Sequence, residues 1–131
     1  EAIRCFDQAL QFDSGLAQTH YNLGVALWFS GNQQLAKEHW EDALRIAPDL
    51  ADAHNALGFA LMKSGDLGSA IKHFRQAVRI KPDFAEAHFN LGAALEQDGK
   101  KQEAMEQYGQ AVRIRPDYAE AQAQLARLQE R

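Results

Sequence analysis

The feature that most constrains this chain is a motif that returns every 34 residues. Its clearest copy runs from Pro82 to Gly99, and the Leu-Gly pair within it also stands at positions 23–24 and 57–58. A period of this length is typical of stacked helix pairs, in which each repeat packs mainly against its neighbours. The sequence therefore predicts an all-α solenoid of antiparallel helix pairs, whose long surfaces suit binding.

The composition narrows the partners that such a surface can have. The formal net charge is −4 over 131 residues. Nucleic acid and anionic membranes attract clustered Lys and Arg, so we expect neither as a partner. A protein or peptide is the expected partner, and a basic peptide is compatible with the charge. No apolar run reaches the length of a membrane span, so no membrane insertion is expected.

Two features bear on where the chain acts and on its extent. The single cysteine, Cys5, excludes an internal disulfide and a Cys-rich zinc motif and favours a reducing, cytoplasmic setting. No signal segment is present. Because Glu1 begins partway through a repeat, we expect the chain to be a fragment of a longer protein.

No catalytic motif is found in the sequence. There is no Gly-rich phosphate loop, no nucleophile elbow and no paired-carboxylate motif, and Cys5 has no nucleophile motif around it. We therefore predict that the chain is not an enzyme and needs no cofactor.

The spacing of apolar residues predicts one short helix, three helix pairs and a final helix. A turn at Asp13-Ser14-Gly15 is expected to end the first helix, glycines to end the first helix of each pair, and prolines to end the second. The predicted helices are 1–12, 16–30, 34–46, 50–64, 68–80, 84–98, 102–114 and 118–130, with glycines at 31, 65 and 99 and prolines at 48, 82 and 116.

An aspartate follows each of the three prolines, and an acidic residue follows three positions later. Asp83 with Glu86 is the middle case. This spacing predicts that the aspartates accept hydrogen bonds from the first amides of the helix, each worth about 1 kcal/mol. The pairs are Asp49 with Asp52, Asp83 with Glu86, and Asp117 with Glu120.

Small and aromatic residues recur with the Leu-Gly pair at fixed positions of the period. They are Ala36, Ala70 and Ala104, then Trp40, Phe74 and Tyr108, then Ala43, Ala77 and Ala111, then the three prolines. This pattern resembles the tetratricopeptide repeat (TPR), and it covers nearly the whole chain. The resemblance implies a right-handed superhelix in which glycines and alanines let the helices approach while the aromatic rings fill the gaps.

The resemblance also divides the chain into units. Residues 1–16 are predicted to be the second helix of an incomplete repeat, followed by full repeats at 17–50, 51–84 and 85–118. Residues 119–131 are predicted to be a capping helix, because the residues on its outer face are polar.

The amino-acid sequence of the repeats is similar to that of two kinds of TPR protein. The segment AEAHFNLG is similar to repeats in the substrate-binding arm of O-linked N-acetylglucosamine transferases, and bacterial TPR scaffold proteins share it. The leading hypothesis is a non-enzymatic scaffold that holds a peptide or helix of a partner protein. The alternative is the recognition arm of a larger enzyme, such as a glycosyltransferase.

In the TPR family the concave face is lined by the first helix of each pair, and this places the expected partner contacts. Asn22 and Asn90 would bond the backbone of an extended peptide. The residues that hold acidic chaperone tails in some TPR domains are lacking, so no binding of such a tail is expected. The expected contacts are Tyr21, Asn22, Val25, Trp28, Asn55, Phe59, Met62, Phe89, Asn90, Ala93 and Gln97, with Phe29 and Ala56 on the same face. The alternative is that some of the aromatic rings, Phe29 above all, pack into neighbouring helices.

The five histidines are predicted to be structural. His20, His54 and His88 share one repeat position, and His39 and His73 share another. Equivalent residues of stacked repeats lie about one repeat apart, whereas zinc needs three or four converging ligands. We therefore expect no metal site.

The N-terminal helix suggests a further hypothesis. Ile3, Phe6 and Leu10 form an apolar stripe for which the sequence supplies no covering helix. Such a face can pair with the same face of another copy, so self-association into a homo-oligomer is the third hypothesis.

Overall fold

The computed structural model describes the backbone of residues 2–130 and the side chains of residues 15–130. Within this part the chain is all-helical, with short turns between helices. The helices are α1 (Ala2–Phe29), α2 (Gln33–Ile46), α3 (Ala51–Lys63), α4 (Leu67–Ile80), α5 (Ala85–Gln97), α6 (Lys101–Ile114) and α7 (Ala119–Gln129).

The helices pack in pairs, and the pairs stack into a solenoid. α1 packs on α2, α3 on α4 and α5 on α6, while the second helix of each pair packs on the first helix that follows it. The first helices also contact one another along the stack, α1 with α3 and α3 with α5. They therefore share one face of the molecule. The predicted all-α TPR solenoid is confirmed.

A large ring from the second helix of each pair packs against a glycine of the first helix. A Cβ atom added to Gly58 would lie 2.8 Å from the Phe74 ring, closer than side-chain carbons approach in proteins. Because the ring is fully buried, it has no space into which to retreat. The predicted role of these glycines is confirmed in all three pairs, which are Gly24 with Trp40, Gly58 with Phe74, and Gly92 with Tyr108.

The first helices of the pairs end at glycines, as predicted. Gly65 has φ of 91°, a backbone conformation that side chains disfavour. Its N–H donates to the carbonyl of Met62 at 3.1 Å, and the N–H of Asp66 donates to that of Leu61 at 2.9 Å. These two bonds satisfy carbonyls at the helix end, and Gly31 and Gly99 repeat the arrangement.

The prediction that aspartates cap the helices after the prolines is wrong. The N-cap residue is one position later, and it makes no side-chain cap bond at Leu50, Phe84 or Tyr118. Phe84 is only 8% exposed. Burying a phenylalanine contributes about 1.5–3 kcal/mol, more than the roughly 1 kcal/mol of a cap, so packing sets the helix start. The acidic residues in the first turns of α3, α5 and α7 lie there as predicted.

The turn predicted at Asp13-Ser14-Gly15 is also wrong, because α1 runs without a break from Ala2 to Phe29. The period explains the difference. Ser14 occupies the repeat position that Pro48 and its equivalents occupy in the later turns. Without a proline, nothing removes a backbone donor or clashes with the preceding turn, and the helix continues. The proposed boundary at residue 16 therefore falls inside a helix.

The histidines contact each other within a helix pair rather than along the stack. His54 Nε2 donates to the Pro48 carbonyl at 2.8 Å, so a neutral His54 has its lone pair on Nδ1 and accepts there from His73. The contacts across each pair are His20 Nδ1 to His39 Nδ1 at 3.0 Å, His54 Nδ1 to His73 Nδ1 at 3.0 Å, and His88 Nδ1 to Gln107 Oε1 at 2.7 Å.

Replacing Gly58 with alanine is expected to destabilise the fold by about 1–3 kcal/mol, because the new methyl group collides with Phe74. Gly109→Ala is the matched control, since Gly109 lies inside α6 with nothing within 4 Å of an added Cβ. The control should gain up to about 1 kcal/mol from helix propensity. Urea unfolding followed by circular dichroism measures both, and equal stability of the two variants would contradict the packing argument.

The His54–His73 contact predicts that stability falls in mild acid. Burial, then the neighbouring His54 and Lys72, lowers the pKa of His73 from its ordinary value of 6.5. The native state therefore binds fewer protons than the unfolded chain, and stability present above pH 6.5 is lost as the pH falls through the lowered pKa.

His73→Gln tests this, because it copies the His88–Gln107 pair of the next repeat. The unfolding free energy of the variant should fall less than that of the unaltered chain between about pH 7 and pH 5. Parallel curves for the two proteins would show that His73 makes no contribution.

Candidate functional site

The face shared by the first helices contains an open cavity of about 340 Å³. It lies between α1 and α3 and reaches α5 through a single residue. We call this cavity the groove. Its lining residues are Tyr21, Val25, Trp28, Phe29, Trp40, Asn55, Ala56, Phe59 and Asn90.

Three aromatic rings form a connected cluster in the groove. The Trp28 ring lies 5.7 Å from that of Trp40 and 5.8 Å from that of Phe59, edge-on to the latter. Trp40 is buried against Gly24, so the cluster is continuous with the packing of the first helix pair. We call these three rings the floor of the groove, and the packing of Trp40 in the core holds this floor in place.

The rim of the groove carries an exposed ring. Phe29 is 84% exposed at the end of α1, although a phenylalanine is usually buried. Its side chain lines the same cavity as Trp28 and Phe59. An exposed ring beside a rigid aromatic floor is the arrangement expected of a contact surface.

Two asparagines place polar groups beside these rings. Asn90 Nδ2 donates to Asn55 Oδ1 at 3.0 Å, linking α5 to α3. An asparagine amide has two donor hydrogens and two acceptor lone pairs, so this bond leaves donors and acceptors free on both residues. The pair was not anticipated, because 35 positions separate its members and they are not repeat equivalents.

Charged groups of both signs lie near the groove. Burial is the main cause that raises the pKa of Tyr21, and the carboxylates of Asp52 and Glu86 raise it further. Glu86 is paired with Arg115 at 2.9 Å. The Lys63 ammonium lies 5.2 Å from the centre of the Phe59 ring. Among the described side chains, Asp52 is therefore the carboxylate near Tyr21 that has no ion pair, and Lys63 is the cation beside Phe59.

The structure separates the predicted contact residues into groups. Tyr21, Val25, Trp28, Asn55, Phe59 and Asn90 line the groove, together with Phe29 and Ala56. Met62 does not, because it is 9% exposed and packs in the core with Phe74 and Leu91.

The remaining predicted residues lie elsewhere on the shared face. Phe89 packs between the rings of Tyr108, at 5.5 Å, and Tyr118, at 5.3 Å, and Ala93 packs against the same core. Asn22 and Gln97 are exposed outside the groove. Trp40 also lines the groove, and the sequence did not predict this because the position belongs to the core. The large size of the tryptophan ring is the one signal in the sequence that it could reach the cavity.

The expectation that the histidines lie too far apart to share an ion does not hold in the first repeat. One ligand atom from each of His20, His39 and Asp42 lies within 4.8 Å of the others, and all three residues are partly exposed. The period of 34 residues relates equivalent histidines of different repeats, whereas this contact joins two histidines of the same repeat that are 19 positions apart.

Some predictions concern residues outside the described side chains. Ile3, Phe6 and Leu10, proposed for self-association, and Cys5 belong to this group. Within the part of the chain that the structure describes, no helix combines the length and the hydropathy that crossing a bilayer requires.

Comparison with protein families supports the repeat assignment. A tetratricopeptide-repeat model matches residues 17–50 and 85–118, and a second TPR model matches residues 60–99. A comparison of the sequence with the curated proteins finds no match.

Solved structures with this fold include enzymes and peptide-binding proteins. An O-GlcNAc transferase from Thermobaculum terrenum is 28% identical with a TM-score of 0.83, over 88% of this chain and 22% of the transferase. This chain thus corresponds to about a fifth of that enzyme.

Two further neighbours show likeness of fold alone. The first TPR of Spaghetti (RPAP3), bound to the HSP90 peptide SRMEEVD, is 19% identical with a TM-score of 0.85, over 89% of this chain and 93% of that one. YrrB, described as a TPR protein with an unusual peptide-binding site, is 24% identical with a TM-score of 0.74, over 82% and 55%. On the family matches and the fold together, the chain belongs to the tetratricopeptide-repeat family.

Proposed function

We propose that this chain is a non-enzymatic scaffold whose groove holds a peptide or helix of a partner protein. The observation that carries the proposal is the exposed Phe29 ring beside the aromatic floor made by Trp28 and Phe59. Aromatic side chains in a rigid pocket supply most of the binding energy in many protein interfaces. The peptide-bound RPAP3 domain and YrrB, which share the fold, support this use of it.

The asparagine pair gives the groove a means of fixing the register of an extended peptide. The donors and acceptors left on Asn55 and Asn90 lie beside the aromatic floor. A peptide in the groove would place apolar side chains on the rings and backbone amides against the asparagines. This division of roles is a recurring mode of peptide recognition, in which backbone bonds align the peptide and side-chain pockets select it.

The charge near Tyr21 favours neutral or basic peptides over acidic ones. An acidic chaperone tail would meet the carboxylate of Asp52, since the nearby Glu86 is already paired with Arg115. Its usual basic partners are replaced by Tyr21 and Val25 among others. We therefore propose that this chain does not bind such tails, although the fold is shared with a domain that does.

The exposure of Phe29 allows a test that spares the fold. Peptides are first selected from a random phage-displayed library against the unaltered chain, and their affinities are measured by fluorescence anisotropy. Phe29→Ala should weaken binding about tenfold, corresponding to about 1.4 kcal/mol for one lost aromatic anchor. The thermal unfolding temperature should stay unchanged, because the ring is 84% exposed.

Leu35→Ala is the matched control, since Leu35 is also an exposed large apolar residue, 46% exposed, but lies outside the groove. It should leave the affinity unchanged. Equal losses in the two variants would mean that peptides bind by general hydrophobicity, and the groove proposal would fail.

A second candidate is that this chain is the recognition arm of a larger enzyme. The observation that favours it is the 28% identity to the O-GlcNAc transferase, the highest identity among the three structures compared above. The groove would then hold the protein substrate, and catalysis would reside in sequence outside these 131 residues. Sequencing the reading frame around the corresponding gene segment discriminates this candidate from an independent scaffold.

A third candidate, self-association through α1, also has an observation in its favour. Leu23 is 44% exposed, whereas its repeat equivalents Leu57 and Leu91 are 5% and 1% exposed. Those two lie on α3 and α5, which are packed against the second helix of the preceding pair. A second copy of the chain can supply the cover that Leu23 lacks.

Light scattering coupled to size exclusion tests this candidate. The unaltered chain should show the mass of a dimer at high concentration, and Leu23→Glu should return it to the mass of a monomer. Leu35→Glu provides the control at another exposed leucine and should leave the dimer intact. A monomer at all concentrations of the unaltered chain would rule the candidate out.

A further inference from the structure

The first helix pair contains a cluster of metal-binding residue types that the groove does not use. His20 Nδ1 on α1 lies 3.0 Å from His39 Nδ1 on α2, with the two rings stacked at a centroid distance of 5.2 Å. Asp42 lies one helical turn after His39, and ligand atoms of all three residues lie within 4.8 Å of one another. Among the residues that the structure describes, no other three His, Cys, Asp or Glu side chains converge in this way.

The other repeats provide an internal comparison. The His-His contact is repeated at 3.0 Å between His54 and His73, but Gln76 stands at the position of Asp42. In the third repeat both His39 and Asp42 are replaced by glutamines, Gln107 and Gln110. A histidine contact is therefore a general device for holding a helix pair together. The carboxylate that completes a three-ligand set belongs to the first repeat alone among the three.

We propose that His20, His39 and Asp42 bind one divalent transition-metal ion of the zinc class, with water in the fourth position. Two imidazole nitrogens and a carboxylate oxygen are ligands that this class prefers. Zinc–nitrogen bonds of about 2.0–2.1 Å in a tetrahedron place two ligand atoms about 3.3 Å apart. The two Nδ1 atoms, at 3.0 Å, must open slightly, and the three-ligand set, within 4.8 Å, must draw together to that spacing. Partial exposure of the three residues provides an entry path and room for the water.

One contact competes with the ion. Arg45 Nη1 donates to Asp42 Oδ1 at 2.5 Å. The Arg45 side chain is 74% exposed, so its guanidinium can turn to solvent at small cost. When the ion binds, the Nδ1 proton shared between the two imidazoles moves to the Nε2 atom of its own ring or to solvent. Two metal–nitrogen bonds then replace the hydrogen bond and join α1 to α2. This site is independent of the groove and of the function proposed for it.

Calorimetric titration of zinc chloride into the metal-free chain tests the proposal. We expect one zinc ion per chain. Asp42→Asn should weaken binding at least about tenfold, since loss of even an outer partner of a zinc ligand costs 10–100-fold. His39→Gln should abolish binding. Circular dichroism in the presence of a chelator checks that each variant is folded.

Two variants in the second repeat are the matched controls. His73→Gln should leave zinc binding unchanged, and Gln76→Asp, which adds the missing carboxylate beside His54 and His73, should raise the stoichiometry from one to about two.

Long-range proton–nitrogen NMR on the unaltered chain gives a readout free of substitutions, in which zinc should shift the ring nitrogens of His20 and His39 and leave those of His54 and His73 in place. The proposal is overturned if zinc does not bind, if Asp42→Asn and His39→Gln bind it as tightly as the unaltered chain, or if both histidine pairs shift equally.

Discussion

The structure depends above all on one contact, in which an aromatic ring from the second helix of a pair lies directly against a glycine of the first. In the middle pair the Phe74 ring is fully buried, and Gly58 has no room for even a methyl group. This contact sets the distance between the two helices, and its repetition every 34 residues sets the geometry of the stack. The groove is formed by side chains of the first helices that lie beside these glycine contacts, together with Trp40.

The three rings that fill this position differ in their polar groups, and so they differ in the partners that those groups bind. Trp40 Nε1 donates to the Tyr21 carbonyl at 3.1 Å, so its polar atom is satisfied by backbone. Tyr108 instead donates to Glu96 at 3.0 Å, and Arg127 also binds that carboxylate. Both oxygens of the Glu96 carboxylate therefore have partners within the chain. At the repeat position of Glu96 the first two repeats have Trp28 and Met62, and Trp28 lines the groove.

The parts of the fold that repeat could be predicted from the sequence. Gly58 and Phe74 recur with their equivalents in three copies, and recurrence of that kind has a packing cause. Single departures from the period were harder to interpret. Ser14 stands where later repeats have proline, and this one change converts a predicted turn into a continuous helix from Ala2 to Phe29.

The candidate site was less predictable, because its important contacts join positions that are not equivalent. Asn55 and Asn90 differ by 35 residues and His20 and His39 by 19, and neither separation follows from a period of 34. Such contacts depend on the angle at which the helices cross, which a repeat pattern alone does not specify. The prediction of aspartate caps was wrong for a related reason, since burial of residues such as Phe84 outweighed a local capping bond.

The groove and the fold are linked through one chain of contacts, and this link limits how the groove can change. Trp40 packs on Gly24, Trp28 packs on Trp40, and Phe59 packs on Trp28. Because each ring supports the next, altering the floor also alters the first helix pair. Phe29 is 84% exposed, so its replacement does not disturb this packing. In the proposed peptide-binding role, selectivity is therefore expected to vary through rim residues such as Phe29, while the floor stays fixed by the same packing that makes the repeat fold.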